Sequence, residues 1–124
     1  FNRTSWVFMW ALGVIYTMPL ASLAQSASYP SKNIRWVVPY PAGGGSDFLA
    51  RTISQQLSVQ LKQSILIDNK PGASGNIGTN LVAQSAPDGY TLVLGFDGTM
   101  VINPHVFAKV PFDTLKDFAP VGKI

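Results

Sequence analysis

Three times in this chain, a short apolar run leads directly into a loop that contains glycine. The runs at 34–39, 64–68 and 90–94 are rich in β-branched and aromatic residues, which is typical of buried strands. Helical periodicity follows the first two loops, at 48–63 and 77–86. This alternation of strand and helix predicts an α/β fold with a parallel sheet and right-handed crossovers.

The three loops, at 39–47, 69–76 and 95–99, are expected to lie at one edge of that sheet, because each leaves the carboxyl end of its strand. Open α/β sheets bind their ligands at that edge. In the first loop, three glycines followed by a Ser-Asp pair bring main-chain N–H groups and a helix N-terminus together. Such a turn can hold an anion without a cationic side chain. The alternative is that the glycines only form a strand-to-helix turn.

Two finer expectations concern side chains and backbone in and near these loops. We expect a positive φ at Gly44, where a β-branched residue would then be strained. We expect the Asp47 carboxylate to face away from a bound anion, on backbone amides or on an amino group of the ligand. Asp97 and Thr99 in the third loop are candidates for binding a cation or an amine.

The remaining periodicity predicts helix faces and further elements. The apolar stripes of the two helices are Leu49, Ile53, Leu57 and Leu61 in the first, and Ile77, Leu81 and Val82 in the second. Beyond the third loop, the sequence predicts a short helix within 101–109, a helical turn at 115–118 and the opening of a fourth strand at 119–124.

Several catalytic motifs fail on specific residues. Neither of the first two loops has the Lys-Ser or Lys-Thr pair of a P-loop, and a dinucleotide fingerprint would need glycine at Phe48. The nucleophile elbow is nearly met at 72–76, but Asn76 stands where the second glycine should be. His105 is the only histidine, and we expect it to be a surface residue. We therefore predict a binding protein, with no catalytic residues.

Composition removes further classes. The chain has no Cys and no Glu, so disulfides and thiolate sites are excluded, and we predict no metal site and no cofactor. Its basic residues are scattered singly and form no stripe, which argues against a nucleic-acid partner.

The first 24 residues have the order of a secretory signal. Arg3 precedes an apolar run at 6–18, Pro19 ends that run, and small residues at 21–24 suit a signal peptidase. The run is shorter than the roughly 20 residues that a membrane-spanning helix needs. We predict cleavage after Ala24, so that residues 25–124 form the exported domain. An uncleaved N-terminal anchor is the alternative.

The loops carry a resemblance that runs through the whole predicted exported part, from about Tyr29 to Ile124. The stretches PYPAGGGSD at 39–47, NKPGASGNIG at 69–78 and APDGYTL at 86–92 closely resemble the substrate-binding proteins of tripartite tricarboxylate transporters, also called Bug receptors. Asn103-Pro104 and FDTLKDF at 112–118 continue the same pattern. One departure is local: AGGG at 42–45 takes the place of a commoner Pro-Gly-Gly run.

This resemblance implies a fold and a role. The fold would be that of a type II periplasmic binding protein, with residues 25–124 as the N-terminal part of its first α/β domain and the second domain absent from this chain. The protein would be a periplasmic receptor that delivers a small carboxylate, such as a di- or tricarboxylate, an amino acid or an aromatic acid, to a membrane permease. Some members of the family inform sensor kinases instead.

The resemblance also implies the ligand site: backbone amides and water in the first two loops hold the ligand carboxylate, and the third loop, near Asp97 and Thr99, completes this domain's side of the site. The implied ligand-binding residues are Tyr40, Ala42, Gly43, Gly44, Gly45, Ser46, Asp47, Ala73, Ser74, Gly75, Asn76, Asp97 and Thr99. Two alternatives stay open. One is an α/β enzyme whose catalytic residues lie outside this chain, and the other is a ligand-sensing partner of a membrane sensor kinase.

Overall fold

The structure is a computed structural model that describes residues 28–124, and the predicted signal segment at 1–24 lies outside the described residues. Its centre is a parallel sheet of three strands, β1 (Ile34–Val38), β2 (Ile65–Asn69) and β3 (Thr91–Val93). The strand order is β2-β1-β3, and Val37 lies opposite both Asp68 and Val93. The predicted parallel α/β sheet is therefore confirmed, with the most apolar strand in the middle.

Helices connect the strands in the predicted order. Helix α1 (Gly45–Leu61) joins β1 to β2, and a 3₁₀ turn (Ala73–Gly75) followed by helix α2 (Asn76–Ala83) joins β2 to β3. Helix α1 begins three residues before the predicted start at Phe48, because Gly44 is extended and already occupies the cap position. Beyond β3, a π-helical turn (Gly98–Ile102) runs into helix α3 (Asn103–Val106), where a short helix was predicted.

Helix α1 covers one face of the sheet through its small residues. Trp36, Val38, Ala50 and Leu94 form the buried cluster on that face, and the half-buried Ile53 and Leu57 pack against it. The predicted stripe is wrong at Leu49, which is 38% exposed, whereas Asp47, Ala50 and Ser54 are buried. Small side chains at positions 50 and 54 take the places nearest the sheet, and the larger apolar residues pack at the sides.

Helix α2 contacts β1 and β3 and comes closest to the backbone at Gly78. A Cβ atom built at Gly78 would lie 2.6 Å from the carbonyl oxygen of Lys70 and 3.0 Å from the Cα atom of Pro39. The predicted apolar face is wrong at Ile77, which is 56% exposed, because the buried positions are Asn76, Gly78 and Thr79. A glycine, and not an apolar side chain, therefore allows α2 to approach the backbone at Pro39 and Lys70 this closely.

The C-terminal stretch contains a turn but no fourth strand. Residues 119–124 are exposed and extend past the sheet without pairing to any of its three strands, so the predicted strand there is wrong in this structure. The turn predicted at 115–118 spans 113–117: the Asp113 carboxylate accepts hydrogen bonds from the amides of Leu115 (3.0 Å) and Lys116 (3.2 Å). An extended segment becomes a strand only when a neighbouring strand accepts its hydrogen bonds.

Candidate functional site

The three loops meet at the carboxyl edge of the sheet, as predicted, and hydrogen bonds join them. In the structure the first loop spans 39–44 after β1 and the second spans 70–75 after β2. The third spans 94–97, so Thr99 of the predicted third loop lies in the π-helical turn that follows it. The hydroxyl of Tyr40 lies 2.9 Å from Oγ1 of Thr99, and that oxygen donates to the carbonyl of Ser74 at 3.0 Å. One chain of hydrogen bonds therefore connects the first loop, the π-helical turn and the second loop.

The Asp47 carboxylate holds the first loop in shape. It is only 4% exposed, and it accepts hydrogen bonds from the Gly43 amide (2.9 Å), Nε of Arg51 (3.0 Å) and Nδ2 of Asn69 (3.0 Å). The hydrogen bond from Arg51, followed by that from the Gly43 amide, lowers the pKa of Asp47 to about 2. The expected contact with a backbone amide is present. Both carboxylate oxygens already accept hydrogen bonds from the protein, so Asp47 fixes the shape of the first loop.

This arrangement leaves a pair of amide groups free. The left-handed glycine of the first loop is Gly43 (φ 82°), and the expectation for Gly44 is wrong, since Gly44 has φ −82° and ψ 172°. Within residues 28–124, the amides of Gly45 and Ser46 have no hydrogen-bond acceptor, whereas the Gly44 amide closes the turn over residues 42–43. The two free amides form the N-terminus of a 17-residue helix. Ala42 and the three glycines are exposed and Ser46 is half-buried, so this helix end is open to an anion.

The second loop runs through four consecutive residues with positive φ. The values are 131° at Gly72, 47° at Ala73, 54° at Ser74 and 89° at Gly75. Two of these are not glycine, and each costs about 1–2 kcal/mol in this conformation. At Gly75, a Cβ atom would lie 2.5 Å from Oγ1 of Thr99, so only glycine fits against the π-helical turn.

Contacts from outside the second loop hold it in this conformation. The Ser74 carbonyl accepts one hydrogen bond from Thr99 and another from Nδ2 of Asn103, both at 3.0 Å. The Ala73 carbonyl accepts a hydrogen bond from the main-chain N–H group of Asn76. Strain of this kind persists where surrounding contacts fix the backbone, and it concentrates at binding sites.

Sequence reasoning missed two asparagines that connect the loops. Asn103, 6% exposed, donates to the Ser74 carbonyl (3.0 Å) and to Oδ1 of Asn76 (2.8 Å). Asn69, at the end of β2, donates to the Tyr40 carbonyl (3.1 Å) as well as to Asp47. The available signal was position: Asn69 directly follows a predicted strand at the binding edge, and Asn103 precedes the proline of a predicted helix.

The predicted third loop places its residues in two different environments. Thr99 is fully buried at the junction described above, and Phe96 packs edge-on against Tyr40 with ring centroids 5.0 Å apart. Asp97 is exposed, and in the part of the chain described by the structure its carboxylate has no hydrogen bond or ion pair. The structure therefore brings Thr99 to the loop junction and leaves Asp97 in solvent.

Cations near the site are already paired. Arg51 binds Asp47, and Nζ of Lys70 lies 3.4 Å from Oδ1 of Asp68. The residues from 28 onward contain no cluster of three His, Cys, Asp or Glu side chains that could hold a metal ion. His105 is exposed on α3, as predicted. An anion at this edge would therefore meet main-chain donors and not charged side chains.

The parallel α/β sheet with its loops joined at the carboxyl edge is similar in structure to the periplasmic binding proteins. The structure of the periplasmic binding protein BugD matches it with a TM-score of 0.72 at 34% identity, over 76% of this chain and 31% of BugD. Among residues 28–124, no helix has the length and apolar character needed to cross a membrane.

The family follows from the sequence. Residues 49–124 match the family described as the tripartite tricarboxylate transporter family receptor. The chain belongs to this family, whose members are solute receptors and not enzymes. The predicted resemblance is confirmed, and so is the prediction of a non-enzyme at the level of the family.

Individual relatives agree. Protein BugT of Bordetella pertussis is 34% identical over 89% of this chain and 34% of its own length. MatC of Rhodopseudomonas palustris, solved with bound malate, is 39% identical with a TM-score of 0.72, over 75% of this chain and 32% of MatC. An R. palustris protein solved with adipate is 39% identical with a TM-score of 0.68, over 70% and 29%. The chain spans about a third of the length of the relatives it matches.

Proposed function

We propose that this chain is the part of a periplasmic solute receptor that holds a carboxylate group of a small organic acid. The observation that carries the proposal is the pair of amides at Gly45 and Ser46, which lack acceptors within the described residues and form the first turn of an α-helix. An anion completes such a helix end, because the N–H groups and the helix dipole both favour negative charge. Related proteins solved with malate and adipate support the choice of a carboxylate.

The remaining predictions extend this proposal. The ligand class is a di- or tricarboxylate, an amino acid or an aromatic acid, and the partner is the membrane permease of a tripartite transporter. Residues 25–124 form the N-terminal part of the first of two ligand-binding domains, after cleavage of a signal at Ala24. Water completes the contacts that the amides of the second loop make with the ligand.

A single substitution tests the amide pair. Gly45→Pro removes one N–H group at the first position of α1, where proline is favoured. The preceding residue, Gly44, has the extended φ and ψ that a residue before proline prefers, and a Cβ atom at Gly45 meets nothing within 4 Å. The fold should therefore tolerate the change. The matched control, Gly45→Ala, retains the amide.

Calorimetry on the full-length protein would use malate, adipate and other C4 to C6 carboxylates, each with its amide as a control. A hydrogen bond to a charged group contributes about 1.5–3 kcal/mol, so Gly45→Pro should weaken acid binding at least about tenfold relative to Gly45→Ala. Thermal unfolding of the two variants should differ little. Equal affinity in both variants would remove this amide from the site, and a parent protein that binds none of the acids would refute the proposed ligand class.

A further inference from the structure

The orientation of the Asn76 side-chain amide follows from the contacts of its neighbours. The carbonyl oxygen of Ser74 can only accept hydrogen bonds, so the Asn103 atom 3.0 Å from it must be the nitrogen, Nδ2. That same nitrogen lies 2.8 Å from Asn76, and the Asn76 atom that faces it must therefore be the acceptor Oδ1. The Asn76 amide nitrogen then points to the other side.

This nitrogen is a donor without an acceptor. Asn76 is only 4% exposed, and its Nδ2 atom makes no hydrogen bond to residues 28–124. This atom is nevertheless not fully shielded from solvent. It therefore keeps access to solvent at the junction of the second loop and α2. With its Oδ1 atom bound to Asn103, this buried asparagine presents an NH₂ group, with two donors and no acceptor, on the side away from Asn103.

The Ser74 carbonyl orders a second chain of hydrogen bonds in the same way. Thr99 has one hydroxyl proton and donates it to this carbonyl, so the Tyr40 hydroxyl must donate its own proton to Thr99. The Tyr40 hydroxyl is therefore unavailable as a donor to a ligand anion while the network is intact. These networks orient the side chains of Tyr40 and Asn76, and of the two only Asn76 has N–H protons left to donate to a ligand.

We propose that Asn103 is a positioning residue for ligand selectivity, because it fixes the Asn76 amide with its donor side toward the ligand. The inference rests on the proposed function, in which the ligand binds at these loops. A site with a fixed donor favours a carboxylate, which has two acceptor oxygens and a negative charge, over a carboxamide, which has one neutral acceptor oxygen and brings an NH₂ group with it.

Asn76→Asp tests the outward donor. The Asn103 nitrogen can still donate to the new carboxylate, so the connection between the two residues remains, while an anionic oxygen replaces the outward NH₂ group. We expect at least about tenfold weaker binding of succinate, malate and adipate, and a shift of preference toward the matching diamides. Asn33→Asp is the control, because Asn33 is exposed and precedes β1, at the opposite edge of the sheet. It should keep the affinities of the parent.

Asn103→Asp tests the positioning role. A carboxylate at position 103 has no proton for Asn76, so the Asn76 amide should turn its NH₂ group inward and its oxygen outward. The acid-to-diamide preference should then fall by about tenfold. A purely structural role would weaken acid and diamide equally. An unchanged preference ratio in Asn76→Asp and Asn103→Asp would overturn the proposal.

Hydrogen exchange of side-chain amides, followed by ¹⁵N NMR, decides the orientation in the parent protein without a ligand or a variant. Both Asn103 N–H protons are bonded and should exchange at least about tenfold more slowly than those of Asn76. Equal rates, or slower exchange at Asn76, would overturn the inference.

If the parent binds no acid, the proposed function fails and this measurement still tests the orientation. If Gly45→Pro loses binding while both asparagine variants keep the parent preference, only the present inference fails.

Discussion

Gly78→Ala should destabilise the protein although it places a better helix former inside a helix. The new Cβ atom would lie 2.6 Å from the Lys70 carbonyl oxygen, about 0.8 Å short of ordinary contact, with Pro39 backbone at 3.0 Å on its other side. Both neighbours are backbone atoms, so α2 itself must move. Overpacking of this kind costs about 1–3 kcal/mol, and the helix propensity of alanine returns about 1 kcal/mol. We expect a net loss of up to about 2 kcal/mol, toward the upper end because both contacts are with backbone atoms.

Urea denaturation of the full-length protein, followed by far-UV circular dichroism, would measure the change. Gly45→Ala is the matched control, because the same methyl group there enters open space at the first position of α1. It should raise stability by a few tenths of a kcal/mol. Because α2 carries the second loop, Gly78→Ala should also weaken carboxylate binding. A Gly78→Ala protein as stable as the parent would show that α2 does not approach β1 as closely as the structure has it.

Three further predictions concern other parts of the chain. The pKa of Asp47, about 2, lies below its usual value of 3.8, so its ionised form stabilises the fold above about pH 4 and this contribution is lost as the pH falls toward 2. Asp47→Asn should therefore lower stability at pH 7 and flatten the acid limb of a stability–pH curve. Parallel curves for the variant and the parent would contradict this. Thr79 is fully buried and its hydroxyl has no partner within residues 28–124, so Thr79→Val should gain about 1 kcal/mol in urea denaturation, whereas a loss would reveal a hidden partner. Expression in a Gram-negative host should yield a periplasmic protein that begins at Gln25 by N-terminal sequencing, and retention of the apolar run in membranes would count against cleavage.

The sequence was sufficient for the sheet and for the meeting of the loops, because both follow from local patterns. Apolar β-branched runs form strands, and parallel strands bring the loops at their carboxyl ends to one edge. The position of the left-handed glycine was not predictable. In three consecutive glycines each residue accepts positive φ, and the choice of Gly43 depends on the hydrogen bond from its amide to Asp47.

The other features that the sequence did not predict correctly also depend on tertiary contacts. Asn103 acts on Ser74 and Asn76, which are distant in sequence, so no local spacing reveals it. The helix faces were misjudged because hydrophobicity marks large residues, whereas Ala50 and Gly78 take the places closest to the sheet. The strand predicted at 119–124 has suitable residues but lacks a neighbouring strand in the described structure.

The central position of β1 has a consequence for the order in which the domain can fold. This strand is made first, yet it pairs with β2, which follows α1, and with β3, which follows α2. Val37 and Val38, both fully buried in the folded structure, therefore stay without their full cover until β3 has been synthesised. Pairing of strands so distant in sequence is slow, and chains that wait in this state are prone to aggregate. The fold must form after synthesis of β3, so the newly made chain needs protection of its apolar first strand throughout that interval.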